Sequence, residues 1–466
     1  MAMRSGFREI VYLFLLVLLI SSLQLLRFVL QKPLPQGVLT HAQMVLDLQV
    51  LQQQLNDYSA FVVLEPDRLK LLSQRIKQVS ARYPQSIPLN RFNTEVRKLV
   101  CLLDDPGASI SAWPMATALL PLSLQQMQQQ WLALDNDGKP LDLSRPFLSH
   151  IDGLPIRLWL QAASSMAVPR QPLAPLLQQL QVLRQELGLR DKTTVTLTLT
   201  GDNIDAVNVE LPVRNNLTGK RPPAISQWQW LDTATELFRF GDLNRLESDR
   251  QLQRDFQKAL QAKTLILDMR QSSGFSPMLL QLLAKGRQYP ATQPMGYARY
   301  RRSSQLRSDF LSPLGFVPLN HFQLFPPISA ILNSQQQPEL SQWYARPPII
   351  APKDVAPATT QQLVLLVGAG CRNECEWLAY YAKGWRKTLL IGEHTSGDMG
   401  RKHEFRLPAS EMTVSISASL MYDQYGNLLS GQGTAPDLQL ALPQTLPWPK
   451  LLQALRQHFT TTAKVE

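Results

Sequence analysis

The chemically most reactive residue types of this sequence cluster late in the chain. Cys371 and Cys375 flank Asn373 on either side, and His394 and His403 follow. A thiol at a helix N-terminus has a lowered pKa, so either cysteine could act as a nucleophile with a histidine as its base. The same two cysteines could instead form a disulfide or simply fill the core. Zinc binding by them and a histidine is a further alternative, although the spacing matches no standard zinc site.

A hydroxyl group is the other candidate nucleophile in this region. Ser396 follows His394 in a Thr-Ser-Gly sequence that is also typical of an ordinary turn. Asn373 has no group that can be activated for attack on a carbonyl, but asparagine is among the best helix N-cap residues. Glu376, three positions later, completes a capping-box pattern with it. The residue types therefore predict a helix start at Asn373.

Alternating strands and helices are expected to position these residues. The hydrophobic pattern predicts three strands and two helices in alternation, at 263–269, 275–285, 363–367, 374–383 and 388–391. This alternation indicates an α/β core built from βαβ units with right-handed crossovers. Asp268 and Arg270 lie at the end of the first strand, where the loops of a parallel sheet collect binding sites.

The rest of the chain divides into segments of different character. Residues 33–109 have helical periodicity and predict a small helical domain, with Cys101 in its core. Residues 110–212 are mixed, residues 213–445 contain the α/β core, and residues 446–466 form a C-terminal helix or tail.

An apolar run close to the N-terminus predicts where in the cell the chain is located. Ile10 to Leu26 is unbroken except for short polar residues, and Arg4 and Arg8 precede it. Extended to residue 31, the run reaches the ~20 residues that a membrane-spanning helix needs. We therefore expect one transmembrane helix at 10–31, a cytoplasmic tail at 1–9, contact with the lipid bilayer, and location in the inner membrane with the bulk of the chain periplasmic. A cleaved signal peptide is the alternative.

Composition bounds the remaining choices. The 466 residues exceed what one hydrophobic core usually organises. With 44% hydrophobic and 18% charged residues, the chain is neither a disordered polymer nor a coiled coil nor a polytopic membrane protein. The formal net charge of +11 would suit nucleic acid, but no zinc finger, phosphate loop or basic helix accompanies it. Three cysteines are too few for a disulfide scaffold. No nucleic acid, metal or cofactor is expected.

Five short segments together resemble a known family. They are Pro146–Leu160, Leu265–Arg270 followed by Gly274, Val364–Glu376, Leu390–Gly397 and Gly431–Asp437. In order and spacing they resemble the tail-specific (C-terminal processing) serine protease family over roughly residues 100–445. The first segment is similar to the PDZ-like part of that family. The cysteine spacing is similar to a histidine-using, tricorn-like branch whose nucleophile segment reads C-x-S-x-C-E. The resemblance implies a crotonase/ClpP-like α/β core behind a PDZ-like segment at 110–212.

The same resemblance implies where catalytic groups should stand. Asn373 occupies the position of the nucleophilic serine. The base of the lysine-using branch falls on Asp398, and the histidine of the other branch falls on Gly107, in Asp105-Pro106-Gly107. Glu376 completes the branch pattern and joins Asn373 and Gly107 in the expected catalytic set. Both essential groups are therefore missing from their positions.

The resemblance also implies a substrate site. Its expected residues are Asp268, Arg270, Gly274 and Gly153, although Gln271-Ser272-Ser273 stand where the family has glycines that donate to the oxyanion. Polypeptide segments or protein C-termini are the expected partners.

Three hypotheses about function follow. The first is a catalytically degenerate protein with a peptidase fold that binds peptides by strand addition. The second is an active peptidase with a displaced nucleophile, which would be Cys371, Cys375 or Ser396. The third is a structural assembly subunit. Whether the chain is an enzyme stays open at this point.

Overall fold

The computed structural model describes most of the chain. The described residues are 12, 14–22, 37–111, 118–127, 129–135, 137–202, 204–215, 226–284, 294–321, 328, 331–333, 337–348, 362–440, 448, 449, 451–453, 455 and 457. They form a helical unit, a mixed middle unit and an α/β core, in that chain order.

The helical unit follows the apolar periodicity of its sequence. Its elements are β1 (Val38–Thr40), α1 (His41–Tyr58), α2 (Phe61–Leu64), α3 (Asp67–Arg82), β2 (Ser86–Pro88) and α4 (Leu89–Cys101). Thr40 and Gln43 form a reciprocal capping box that fixes the start of α1. Apolar residues of the three longer helices form one buried cluster, and Cys101 lies within it as expected.

The middle unit contains an antiparallel sheet, two short additional strand pairings and short helices. Its elements are β3 (Ser109–Ile110), β4 (Ala118–Leu119), β5 (Ser123–Met127), β6 (Gln130–Leu134), β7 (Phe147–Ile151), β8 (Leu154–Pro155), α5 (Ile156–Ser164), α6 (Ala174–Leu177), α7 (Leu180–Glu186), β9 (Thr194–Gly201), β10 (Ile204–Pro212) and β11 (Arg214–Asn215). The strands run in the order β10-β9-β7-β6-β5, with β8 paired to β7. Strand β10 is therefore an edge strand. The assignment of this unit as PDZ-like stays a prediction.

The core has the predicted mixed α/β architecture. Its first elements are β12 (Gln227–Trp230), β13 (Thr235–Arg239), α8 (Arg245–Ser248), α9 (Arg250–Ala259), β14 (Thr264–Asp268), α10 (Pro277–Ala284), β15 (Gly296–Tyr300), β16 (Val317–Pro318) and β17 (Tyr344–Arg346), with 3₁₀ turns at Ser312–Leu314 and Leu319–His321. Next come β18 (Gln362–Val367), α11 (Glu374–Ala382), β19 (Thr388–Gly392), β20 (Lys402–Arg406), β21 (Thr413–Ser417), β22 (Ser419–Asp423) and β23 (Leu438–Gln439). The central sheet has the order β12-β13-β14-β18-β19-β23.

Parallel pairing in this sheet determines where the loops meet. Each pair from β13 to β23 is parallel, whereas β12 pairs antiparallel at the edge. The loops that leave β14, β18 and β19 therefore gather at one edge of the sheet. Two smaller sheets accompany it, β16-β17-β15-β22 and β20-β21-β3. In the sheet β20-β21-β3, strand β3 (Ser109–Ile110) pairs with β21 of the core, so the loop that precedes β3 lies next to the core.

A buried aspartate joins the helical unit to the core. Asp47 of α1 is fully buried and accepts hydrogen bonds from the backbone N–H groups of Ala409 (2.7 Å) and Ser410 (2.8 Å). Nearby, the His403 ring stacks on Tyr58 with 3.9 Å between ring centroids. These contacts hold β20 and the turn that follows it against α1.

We expect Asp47→Ala to lower the free energy of unfolding by about 3 kcal/mol, because two buried amide groups lose their acceptor. Urea unfolding of the whole chain measures this loss. Asp57→Ala on the same helix is the control, since Asp57 accepts an exposed hydrogen bond from Asn56 and no buried amide group depends on it among the described residues. Equal losses in the two variants would contradict the docking role of Asp47.

The predicted transmembrane anchor at residues 10–31 is wrong. Among the described residues, no helix is both long and apolar enough to cross a membrane. The single-pass inner-membrane location and the lipid contact depended on this anchor, and the correction removes their basis. The predicted cytoplasmic tail at 1–9 lies outside the described residues.

Candidate functional site

The site is centred on a strained turn between β18 and α11. Asn373 is the N-cap residue of α11 and has φ 54° and ψ −111°. A positive φ is uncommon for residues other than glycine and costs energy, although asparagine tolerates it better than most. A sharp strand-to-helix turn of this kind presents the side chain of its central residue at the top of a sheet, as the nucleophile turn of many hydrolases does.

The turn is held by backbone hydrogen bonds to two neighbouring loops. The Asn373 N–H donates to the Asp398 carbonyl oxygen at 2.7 Å, and the Glu374 N–H donates to the Gly274 carbonyl oxygen at 3.1 Å. In return, the Gly274 N–H points at Asn373 Oδ1, 3.4 Å away. The loops after β14, β18 and β19 thus meet at Asn373.

The predicted capping box at Asn373 is not formed. Asn373 occupies the N-cap position, but its side chain makes no capping hydrogen bond. N-cap residues usually have extended backbone angles, and the positive φ of Asn373 aims its side chain elsewhere.

Glu376 instead ties the helix to the turn at residues 395–397. It accepts hydrogen bonds from the Thr395 hydroxyl (2.5 Å), the Gly397 N–H (2.6 Å) and the Ser396 hydroxyl (3.3 Å). Burial raises the pKa of Glu376 to about 7, while these three donors partly oppose the rise. The carboxyl group is therefore a buried anchor for the turn that precedes Asp398.

Lys402 fills the space above Gly107. A Cβ atom built on Gly107 would overlap the Lys402 Nζ and crowd Asp398 Oδ1. The Lys402 ammonium forms an ion pair with Asp398 and donates to Ser417 Oγ at 3.0 Å. A side chain at position 107 therefore requires the Lys402 amine to move from its present position.

Asp105 is the buried member of this charged group. It is fully buried and accepts hydrogen bonds from the Ser417 N–H (2.6 Å), the Ser417 hydroxyl (2.7 Å) and the Gly107 N–H (2.9 Å). Burial raises the pKa of Asp105, and the nearby Lys402 ammonium opposes the rise. The family resemblance implied catalytic groups at Gly107, Asn373 and Asp398. The structure brings these three positions close together.

The comparison with known proteins agrees with this architecture. Residues 237–440 match peptidase family S41. The core has an S41 peptidase fold. The structure of mature CPAF aligns with a TM-score of 0.58 and 16% sequence identity, over 86% of this chain and 93% of CPAF. Mature CPAF complexed with lactacystin aligns with a TM-score of 0.57 and 14% identity, over 91% of this chain and 99% of that one. No curated protein matches by sequence.

The two cysteines of the S41 core are joined in a disulfide. Cys371 and Cys375 bond to each other across Asn373, and both are buried. They therefore offer no free thiolate. In the described part of the chain, no group of three or more metal-ligating side chains occurs either.

The remaining hydroxyl and histidine candidates are separated from one another. Ser396 is 4% exposed and donates to Glu376 rather than to a histidine. His394 Nδ1 lies 2.9 Å from the Thr395 carbonyl oxygen, and His403 Nε2 lies 2.9 Å from Gln54 Oε1. Burial lowers the pKa of His403. No histidine is therefore positioned to activate Ser396 in the described residues.

The four expected substrate-binding residues divide between two places. Gly274 contacts Asn373, and Asp268 ends β14 in ion pairs with Arg270 (2.9 Å) and Arg239 (3.0 Å). Burial opposes ionisation of Asp268, but the two guanidinium groups hold its pKa below the ordinary value. Gly153 lies elsewhere, in the turn between β7 and β8.

Lys402 is the main residue that sequence reasoning missed. Its partner Asp398 stands four positions earlier, a spacing that is compatible with an ion pair but does not reveal the contact with Gly107. The feature of the sequence that could have indicated this contact is Gly107, which stands where the resemblance predicts a histidine. Where a family resemblance predicts a large side chain and the sequence has glycine, another group has to fill the volume in a close-packed interior.

Proposed function

We propose that this chain is a catalytically inactive protein with an S41 peptidase fold that binds polypeptide segments. The observation that carries the proposal is the pairing of Asn373 in the strained turn with Lys402 in the space above Gly107. One replaces the expected nucleophile, and the other occupies the volume of the expected base.

The nucleophile argument rests on side-chain chemistry. Covalent catalysis in this position needs a hydroxyl or thiol that a base can deprotonate. The carboxamide of Asn373 has no such group, and its oxygen faces the Gly274 N–H at 3.4 Å. The side chain thus places an uncharged oxygen beside an amide that could otherwise face a reacting carbonyl oxygen.

The base argument rests on volume and charge. The Asp105-Pro106-Gly107 loop lies beside Asp398 and Lys402, which supports descent from the histidine-using branch. A histidine at 107 would have no room while Lys402 keeps its ion pair with Asp398. Lys402 itself donates to Ser417 Oγ and is oriented toward that hydroxyl and Asp398.

An active peptidase with a displaced nucleophile has no comparable support. The disulfide removes the Cys371 and Cys375 thiols, and the burial of Ser396 leaves a substrate no access to its hydroxyl.

Polypeptide is the ligand class that the fold favours. S41 peptidases act on polypeptide chains, and the turn at Asn373 keeps a strained geometry that helix formation alone does not require. Strand β10 is a second candidate site for peptide binding. It is an edge strand with mostly exposed side chains, so a peptide can pair with it as an added strand.

We expect no cleavage when the full chain is incubated with a pool of unstructured peptides, while part of the pool stays bound to it. Mass spectrometry of the peptides before and after incubation measures both. Asn373→Ala and Asn373→Ser are expected to stay equally inactive, because restoring a hydroxyl leaves Lys402 in the place of the base.

Three outcomes would contradict parts of this proposal. Cleavage that persists in Asn373→Ala would mean that another residue is the nucleophile. Cleavage that appears in Asn373→Ser alone would mean that Lys402 or a neighbour can act as the base. If no peptide is retained by any variant, the polypeptide-binding half of the proposal is wrong.

A further inference from the structure

We propose that the groove between α1 and α3 binds a fatty acid, with the carboxylate at Lys77 and the acyl chain along the apolar floor. The residues that line this groove all belong to the helical unit. The inference is therefore independent of the function proposed for the Asn373 turn. It follows from the size of the groove, its unpaired polar groups and its charge.

The size of the groove suits a small ligand. Its cavity has a volume of about 510 Å³, within the range of about 300–1,000 Å³ that is usual for ligand pockets. Its lining on α1 extends from His41 to Gln52. That length of helix rises about 16 Å, at about 1.5 Å per residue. The groove is therefore long enough for an extended chain.

The floor of the groove is apolar. Leu48 and Ile76 line it and are buried members of the hydrophobic cluster of the helical unit. Val45 packs against that cluster and stays partly exposed. Burial of one methylene group on such a surface tightens binding by up to about fourfold. An acyl chain gains affinity with each methylene group that the floor covers.

A direct contact between the two helices limits the width of the groove. Gln52 Nε2 donates to Ser73 Oγ at 2.8 Å and joins α1 to α3. A helix of a partner protein is about 10–12 Å wide with its side chains, which is too wide to lie between two helices that touch in this way. The shape therefore favours a single extended chain over a docked helix.

Three polar side chains at the groove have unused hydrogen-bond donors. Gln49 and Lys77 are exposed and Ser80 is half-buried. Within the described residues, none of the three makes a hydrogen bond or an ion pair. An ammonium, an amide N–H and a hydroxyl can each donate to a carboxylate, and hydrogen bonds to a charged acceptor are the stronger ones. These groups suit an anionic head group.

No carboxylate side chain competes for this cation. Among the described residues that line the groove, Lys77 is the only one with a formal charge at pH 7. Asp47 of α1 faces the core, where it accepts two backbone N–H groups, and Asp67 of α3 pairs with Lys70. One cation beside an apolar floor matches a ligand with one negative charge and an apolar tail.

Titration calorimetry of the full chain tests the proposal with decanoate, 1-decanol and hexanoate, each below the concentration at which it aggregates. We expect decanoate to bind about tenfold more tightly than decanol, which is the range of one charge-assisted hydrogen bond. Hexanoate should bind more weakly than decanoate, because it leaves part of the floor uncovered. Lys77→Gln should abolish most of the difference between acid and alcohol. Ala81→Phe should weaken both ligands at least about tenfold, because Ala81 lines the groove and a larger side chain fills it.

Lys70→Gln is the matched control, because Lys70 is an exposed lysine of α3 that pairs with Asp67 and does not line the groove. Lys77 and Ala81 are exposed, so their variants are expected to fold. Equal affinities of the parent chain for decanoate and decanol would overturn the carboxylate assignment. Decanoate binding that survives in Ala81→Phe would place the ligand elsewhere. If decanoate does not bind to the parent chain, the fatty-acid site is refuted, whereas the proposed function is unaffected.

Discussion

Gly107→Ala is expected to lower the free energy of unfolding by about 1 to 3 kcal/mol, although it adds a single methyl group. The methyl carbon would overlap the Lys402 Nζ and force the ammonium out of its position. Asp398 and Asp105 would then be left buried without the cation that faces them. The backbone does not contribute to the loss, since Gly107 does not have a positive φ. Urea unfolding of the whole chain is the measurement.

A double-mutant cycle separates this explanation from a general intolerance of the loop. Lys402→Ala alone should also destabilise, but added to Gly107→Ala it should cost much less than it does in the parent chain. Gly384→Ala is the control, because its nearest neighbouring atom is the Tyr381 carbonyl oxygen at 3.8 Å. It should change stability by no more than about 0.5 kcal/mol. Additive effects of Gly107→Ala and Lys402→Ala would refute the proposed competition for one volume.

The free energy of unfolding of Glu376→Gln is expected to increase relative to that of the parent chain as pH rises. The folded-state pKa of Glu376 is about 7, above the ordinary value of 4.5. Between these pH values the folded chain keeps a proton that the unfolded chain has lost. The contribution of this carboxyl group is therefore fully present below pH 4.5 and lost as pH rises through 7. The loss amounts to about 3 kcal/mol, since each pKa unit corresponds to about 1.4 kcal/mol.

Urea unfolding at pH 4 and pH 8 tests this sign. The stability of Glu376→Gln relative to the parent chain should increase by about 3 kcal/mol between the two pH values. Glu404→Gln, at an exposed carboxyl group of β20, should change little over the same range. Parallel pH curves for the parent chain and Glu376→Gln would mean that folding does not raise the pKa of Glu376.

The central strands were predictable because they are apolar on both faces. The predicted strands at 263–269, 363–367 and 388–391 correspond to Thr264–Asp268, Gln362–Val367 and Thr388–Gly392. Their side chains are almost all buried, so the sequence runs have no polar alternation that could be confused with a surface strand. The helix predicted at 374–383 is observed at Glu374–Ala382, where the side chains are likewise almost all buried.

The site was less predictable, because its contacts are distant in sequence. The positive φ of Asn373 has no local signature beyond an asparagine, and it redirects both Asn373 and Glu376 from the expected capping box. The position of Lys402 depends on how β20 and the loop at Gly107 meet in space. The membrane prediction failed for a different reason. Hydropathy identifies an apolar run in the sequence, whereas no helix among the described residues is long and apolar enough to cross a membrane.

The shared volume of Gly107 and Lys402 also constrains the evolution of this chain. A histidine at 107 requires Lys402 to leave its position, and displacing Lys402 leaves two buried carboxylates without the cation that faces them. Under the proposed function, a serine at 373 would still lack a base until both of those changes were made. Selection for folding alone would then be enough to keep the chain inactive.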